Sequence, residues 1–485
     1  MKLMKCLTAA TLLACSFTVL ADENLNETFK GSRYYDQNLF DWHVQFSPLY
    51  DTPINIKNQD LPKSVHEHYV GTQSVWFQSE AYTQSEITRA MGLLKKSIAT
   101  KTAIPGKAYC DADSYYDAGF IAGLNTLADW DNLAKFTYNP ANRAIMIDNA
   151  KVRLLPTNKA YIYDCAKAGE GNDMDYLENS HFWLGTPVYV VGLSQDQKWA
   201  LLYTPDASGW VEVSKFAYVA DTFIANWKAQ ADQVKGLVSV INPASLITET
   251  DNGTKYIGFL GCVLPYQSET KSLYTISVPV QGANGLAEIH TATVSTHDAV
   301  RVPYTPTPRH FIRVINSQLG RPYAWGGGTP YGWNEPDLYN DTSSQLKDLF
   351  APFGIWLPKY SKDQIDLISA RKELSGLPTE TKERIQYLKD KGHPFMTIVD
   401  LDGGDFLYIG NYTDPAHPEL GEIPLTFQTI WSLRTADGSG RRGVLAKANI
   451  LPLLDSYPED SALLSWFDKT RANIRMIYLD DAPST

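Results

Sequence analysis

Attack on an acyl group by a side chain needs a nucleophile, a base to deprotonate it and a third group to orient that base. The densest run of candidate nucleophiles is Asn340-Asp-Thr-Ser-Ser344, three consecutive hydroxyls behind one carboxylate. The residues that follow, Ser343 to Phe350, are predicted to be helical, which puts Thr342 at a helix N-terminus. There its hydroxyl can cap the first turn by accepting from a free amide. As a nucleophile it is handicapped, because threonine enzymes borrow their own terminal amine as base and Thr342 lies deep inside the chain. Past the first helix of the C-terminal part, the histidines are His393, between Gly392 and Pro394, and His417, in an Asp-Pro-Ala-His-Pro loop. Both are expected as exposed loop residues, with a relocated His417 serving Ser343 or Ser344 as the one arrangement left open. No His-Glu-x-x-His or Cys-x-x-Cys spacing supports a metal site, and Gly326-Gly-Gly328 lacks the Gly-Lys-Ser/Thr ending of a phosphate loop. Neither metal nor cofactor is implied.

The motifs around the hydroxyl run are more specific than the run itself. Gly320-Arg-Pro-Tyr-Ala-Trp-Gly-Gly-Gly328 precedes it, and Ala351-Pro-Phe-Gly-Ile-Trp-Leu-Pro-Lys-Tyr-Ser361 and Gln364 follow. This order resembles the NlpC family of papain-like murein peptidases. The family motif reads Tyr-x-Trp-Gly-Gly, then Asp-Cys-Ser, then Gly-Ile-x-Leu-Pro-Arg-x-Ser and Gln. By that resemblance Thr342 stands at the cysteine position. The base is expected in a strand reading Gly-His-x-x-Leu-Tyr-x-Gly. Here Gly403-Gly-Asp-Phe-Leu-Tyr-Ile-Gly410 keeps the frame, with Gly404 at the histidine and Asp405 one residue away. The third position, in a His-x-x-Trp pattern, holds Gln428 ahead of Trp431. All three reactive groups are replaced.

The same resemblance implies a cleft lined or supported by Tyr323, Trp325, Asp341, Ser343, Trp356 and Tyr360. In the family that cleft accepts murein stem peptides, notably at the bond after the γ-linked D-glutamate. Lys359-Tyr360 stands where Arg-Asn is expected, a departure that bears on specificity. Three functions are open: a degenerate envelope protein that binds murein stem peptides or another envelope protein, a hydrolase with a rearranged site, and a structural or regulatory protein that binds through other modules. An open cleft points to the first and a cleft filled by Tyr360 or Phe350 to the third. The second requires another Ser, Asp or His to converge on Thr342.

The elements that must hold these residues change character along the chain. Residues 22–140 read as a mostly helical helper region, with Ile87, Met91, Leu94 and Ile98 on one helical face and a second helical pattern from Asp113 to Leu133. From 141 to 225 short strands are punctuated by Gly, Pro and Asp: Ala144 to Pro156, Leu184 to Gly192, Lys198 to Tyr203 and Ser208 to Val213. Their order resembles a bacterial SH3-like domain. A second β-rich stretch, 237–303, includes Tyr256–Pro265, Tyr274–Pro279 and Gly285–Val294, and resembles the second SH3-like module of one multidomain branch of the family. Prolines 303, 306 and 308 mark the junction to residues 308–480, where a helix from Phe311 precedes antiparallel strands. That is an α+β pattern, as a papain-like domain requires.

Composition limits the partners. The net charge of −11 and the lack of a basic cluster exclude nucleic acid as a partner class. Lys2, Lys5 and the apolar run Cys6–Leu20 read as a secretory signal cut after Ala21, which removes two lysines and leaves −13. Leu12-Leu13-Ala14-Cys15 offers the competing reading of a lipoprotein anchored through Cys15. No later apolar run approaches the roughly 20 residues of a membrane span. An exported, periplasmic or extracellular protein is therefore expected. Cys110, Cys165 and Cys262 remain after cleavage, enough for one disulfide and one thiol, with the pair unassigned.

Overall fold

Short apolar strands broken by glycine and proline dominate the chain, and in the computed structural model they gather into three large antiparallel sheets. The structure describes residues 26–28, 51–54, 56, 61, 64–110, 112–166, 170–232, 236–328, 339–369, 378–401, 404–413, 418–438, 442–457, 463–471 and 474–480. The expected signal segment, Cys15 and His417 lie outside them. A short strand β1 (Asn26–Thr28) comes first, followed by helices α1 (Ser64–Tyr69), α2 (Glu80–Lys101), α3 (Ala118–Ala128) and α4 (Trp130–Leu133). Ser79 caps α2 by accepting from the Tyr82 amide, and Ile87, Leu94 and Ile98 are buried at the expected helical spacing. The second helical pattern begins only at Ala118, where Asp117 caps it, and Asp129 in the left-handed region breaks it from α4.

The first sheet comprises β2 (Arg143–Met146), β3 (Ala150–Arg153), β4 (Glu178–Phe182), β5 (Pro187–Leu193), β6 (Trp199–Tyr203), β7 (Ser208–Glu212) and β8 (Phe216–Tyr218), in the order β4-β3-β7-β6-β5-β2-β8. Its long β3–β4 connection is pinned twice. Cys110 pairs with Cys165, and fully buried Arg153 donates to Asp175 at 2.5 Å and Glu178 at 2.6 Å. Cys262 is the remaining thiol, buried and unpaired.

Helix α5 (Asp221–Gln230) leads to the second sheet: β9 (Leu237–Val240), β10 (Ser245–Glu249), β11 (Lys255–Gly258), β12 (Val263–Glu269), β13 (Leu273–Gln281), β14 (Ala287–Ser295) and β15 (Ala299–Val302). Its order is β11-β10-β14-β13-β12-β9-β15. The stretch Tyr256–Pro265, read as β-rich, contributes to two strands, because Phe259–Cys262 turns between β11 and β12.

The C-terminal part carries α6 (Pro308–Gln318), α7 (Thr342–Phe350), α8 (Ser361–Ser369) and α9 (Thr381–Lys391) before its strands. These are β16 (Thr397–Leu401), β17 (Gly404–Thr413), β18 (Glu422–Gln428), β19 (Ser432–Arg434), β20 (Arg442–Val444), β21 (Asn449–Pro452) and β22 (Ile474–Tyr478). Five form an antiparallel sheet, β21-β18-β17-β16-β22, while β1, β20 and β19 make a three-stranded sheet. Strand periodicity splits the five-stranded sheet between two cores. Ile398, Leu407, Ile409 and Phe427 pack with Phe311 and Ile315 of α6 and Leu349 and Phe350 of α7. Val399, Phe406 and Tyr408 pack instead with Leu388, Leu433, Trp466 and Phe467. Helix first and antiparallel strands after is the expected α+β order.

Helix α7 is also fixed to the first sheet. Lys347 pairs with Asp206 at 2.7 Å, and fully buried His181 of β4 lies 3.2 Å from Asp348. Burial lowers the His181 pKa against the opposing pull of Asp348. The α7 N-terminus is thereby set between two sheets, which is where the candidate residues converge.

Candidate binding cleft

Asp341, not Thr342, caps α7: its side chain accepts from the Ser344 amide at 2.9 Å and the helix already includes Thr342. Both residue types suit a cap, and the carboxylate adds a favourable interaction with the helix dipole. Asp341 also accepts from the Gly326 amide at 3.1 Å and from the Ser344 hydroxyl. Lys359, only 3 % exposed, reaches both of its oxygens, at 2.8 and 3.1 Å. Burial works against the Asp341 charge, but the Lys359 ammonium and the Ser344 donors outweigh it and hold its pKa below the usual carboxylate range. Gln364 completes the support by donating to the carbonyls of Ser343 and Pro358.

The glycine run of 326–328 exists to let these parts close. Gly326 has φ +84°, and a Cβ there would stand 2.6 Å from the Glu178 side chain of β4. Gly327 likewise has no room beside the Ser344 hydroxyl. The first sheet thus comes directly against the C-terminal part and forms one wall of a cavity of about 550 Å³.

Thr342, half-buried, opens onto this cavity from one side and Gly404 from the other. A Cβ placed on Gly404 would point at Thr342, 3.0 Å from its methyl group, with Trp466 and Ile430 at 3.5 and 3.6 Å. Positions 342 and 404 therefore face each other as a nucleophile and its base would, but through a methyl and a hydrogen. Among the described residues, the cavity lining contains no cysteine and no histidine. Gln428, 1 % exposed, has neither its amide oxygen nor its nitrogen in a hydrogen bond among the described residues. Extending the β17–β18 register places it diagonally from Gly404 on the same sheet face.

Asp405 is not a substitute base. It is 2 % exposed and does not line the cavity; Asp400 is its register partner across β16. Neither of its oxygens makes a regular hydrogen bond among the described residues. Burial, opposed by Ser361 and reinforced by the Asp400 charge, raises its pKa well above the ordinary value. His393, expected as an exposed loop residue, is half-buried and bonded to Asp480 at 2.9 Å.

Of the expected cleft residues, Tyr323, Trp325, Asp341, Ser343 and Tyr360 do line the cavity. Trp356 does not. It stacks on His68 of α1 with ring centroids 3.6 Å apart, on the far side of the loop that carries Lys359. Phe350 is fully buried in the core and leaves the cavity open.

Several lining residues lie outside every motif. Lys101, at the end of α2, holds its ammonium 4.1 Å from the Trp325 ring and 4.8 Å from Tyr176, a cation–π contact across three parts of the chain. Burial lowers the Lys101 pKa. Glu178 comes from β4, and burial pushes it up to about 7 despite Arg153. Trp431, Arg434, Arg442, Trp466 and Arg471 form the opposite side. No short pattern marks them, because only tertiary packing brings them to the cavity. Away from it, Glu249, Asp251 and His290 are the described side chains close enough to share a metal ion, and His290 is already bonded to Glu249.

A family model for an SH3 domain of the SH3b1 type matches residues 162–212, within the first sheet. An NlpC/P60 endopeptidase from Photobacterium damselae subsp. piscicida is similar over 95 % of this chain and 100 % of its own, at 24 % identity and a TM-score of 0.75. An NlpC/P60 family protein from Bacillus cereus ATCC 10987 aligns over 67 % of this chain and 98 % of its own, at 17 % identity and a TM-score of 0.39. No curated protein sequence matches. The chain has a multidomain NlpC/P60-type fold that includes an SH3b module. Among the described residues no helix is long and apolar enough to cross a membrane.

Proposed function

We propose that this protein is an exported cell-envelope factor that binds murein stem peptides in its NlpC-type cleft without cleaving them. The observation that carries this reading is the meeting of Thr342 and Gly404: side-chain direction and distance suit a catalytic pair, yet thiol and imidazole are both missing. A threonine hydroxyl without a base is not ionised near neutral pH, and glycine can take no proton. The cavity beside them remains open and is lined by rings and charges, which favours a ligand over a filled scaffold. The Cys110–Cys165 disulfide supports export, since such bonds persist in oxidising compartments. The likeness to a structure described as an NlpC/P60 endopeptidase supports a peptide ligand, and the resemblance of the motifs to murein peptidases narrows it to murein. The reading keeps the divisions 22–140, 141–225, 237–303 and 308–480, with the two β-rich segments as SH3-like modules.

One observation favours the alternative of an active hydrolase with a rearranged site. The Ser343 hydroxyl lies 3.4 Å from the Lys359 ammonium, the composition of a Ser–Lys nucleophile pair. Asp341 weighs against it, because both of its oxygens already hold the Lys359 nitrogen and tie it to the helix cap rather than to Ser343.

Co-sedimentation with purified murein sacculi tests the binding claim. The protein should pellet with sacculi, and Trp325→Ala should weaken binding about tenfold, as the loss of a central aromatic contact typically does. A protein that stays in the supernatant would overturn the reading.

A further inference from the structure

The cavity side opposite the SH3-like wall carries two arginines, Arg434 and Arg442, that no carboxylate among the described residues balances. Strands β19 and β20 are antiparallel, and their register sets Arg434 directly across from Arg442. Residues opposite one another in this way hold their Cβ atoms about 5 Å apart, and like charges so placed repel. Both arginines line the cavity, and neither has a carboxylate partner among the described residues. The Arg442 Nε is buried without a hydrogen-bond acceptor among the described residues. Burial, and then the Arg434 charge, disfavour the ionised form of Arg442, so the arrangement carries a cost in the free protein.

The acids of the cavity cannot relieve it. Asp341 is bound by Lys359, and Glu178 by Arg153. Arg471 adds a further cation beside them, its guanidinium 4.1 Å from the Trp466 ring. This concentration runs against the net charge of −11 of the whole chain. Guanidinium groups present planar forks of donors that match carboxylates bidentately, so one anion between Arg434 and Arg442 would satisfy the free donors and cancel the repulsion.

We propose that Arg434 and Arg442 form a carboxylate-binding subsite, which selects ligands whose peptide portion carries a free carboxylate at this end of the cleft. The proposal rests on the stem-peptide reading for the identity of the ligand, while the subsite itself follows from the arginine pair. It makes amidation of the peptide the chemical feature that the cleft discriminates.

The test is calorimetric titration of the full-length protein with two probes: the tripeptide L-Ala-γ-D-Glu-meso-diaminopimelate and the same tripeptide with its carboxylates amidated. The wild type should bind the free acid at least tenfold more tightly, and the preference should shrink as salt is raised. Arg434→Gln and Arg442→Gln should each lose that preference, while Arg442→Lys keeps part of it. Thermal melting separates misfolding from lost contact: relief of repulsion should leave the melting temperature of each Gln variant unchanged or higher. Equal binding of acid and amide, binding of neither, or full preference in both Gln variants would overturn the subsite. Sacculus co-sedimentation reports on the stem-peptide reading separately: pelleting with sacculi while acid and amide bind equally sinks the subsite alone, whereas no pelleting together with binding of neither tripeptide sinks both.

Discussion

Across the cleft, Thr342 and Gly404 meet through a methyl group and a hydrogen, with the Gln428 amide, unpartnered among the described residues, behind them. Around them, Asp341 with Lys359, Lys101 with Trp325, and Arg442 of β20 keep buried or half-buried charge in defined geometry, with exposed Arg434 across from Arg442. Buried charge is expensive to hold, and an ion pair that loses one member leaves several kcal/mol uncompensated. A cleft with no occupant gains nothing from that expense. The contrast separates two tasks that an active peptidase merges: positioning a ligand and attacking it. On the proposed reading, positioning is built into the walls, while positions 342 and 404 carry neither thiol nor imidazole.

The contrast breaks most directly at the walls. Asp341→Ala removes the cap of α7 and strands Lys359, which is 3 % exposed, so unfolding in urea should show a loss of about 3–5 kcal/mol. A loss below about 1 kcal/mol would mean that the pair is ornamental and the walls are no better maintained than the centre.

The central positions can be tested for mutual fit. Gly404→His must push against the Thr342 methyl, a clash that Thr342→Cys removes by taking away one branch of the side chain. In a double-mutant cycle the two changes should couple favourably by about 1 kcal/mol, since residues in contact fail to add. Additive stabilities would show that position 404 does not point at 342, and the account of a paired replacement would fall.

A smaller effect comes from Asp405, behind the cleft. Its folded pKa is raised, so above about pH 4 the unfolded chain sheds a proton that the folded protein keeps. Stability is therefore fully present below that pH and declines as pH rises toward the folded pKa. Asp405→Asn should gain about 1 kcal/mol at pH 7 and nothing at pH 4, read from melting at the two pH values. A loss at pH 7 would instead assign the ionised carboxylate a stabilising role.

Much of this architecture was legible in the residues because it is local. Short apolar runs ended by Gly and Pro marked β2, β3, β5, β6 and β7 of the first sheet and β13 and β14 of the second, but not β4, β8, β9, β10 or β15, and the helix before the antiparallel strands gave the α+β order. The exceptions are instructive. The β-rich stretch Tyr256–Pro265 shows no break in sequence because its apolar residues continue through Gly258–Cys262, and only the fold reveals the turn between β11 and β12. Asp341 and Thr342 are both good caps, and a shift of one residue decided between them. Trp356 sits among cleft motifs in sequence but points to His68, since adjacency along a loop does not say which side faces the ligand. Lys101, Glu178 and Arg442 were not legible at all: they come from three separate parts of the chain and meet only after the sheets have packed.

The central claim is binding without cleavage, and mass spectrometry of the soluble fraction after incubation with purified sacculi tests it most directly. The account predicts that the wild-type protein sediments with the sacculi and releases no new stem-peptide fragments. Fragments released by the wild type, and abolished by Thr342→Ala or Ser343→Ala, would contradict it and assign the cleft a working nucleophile.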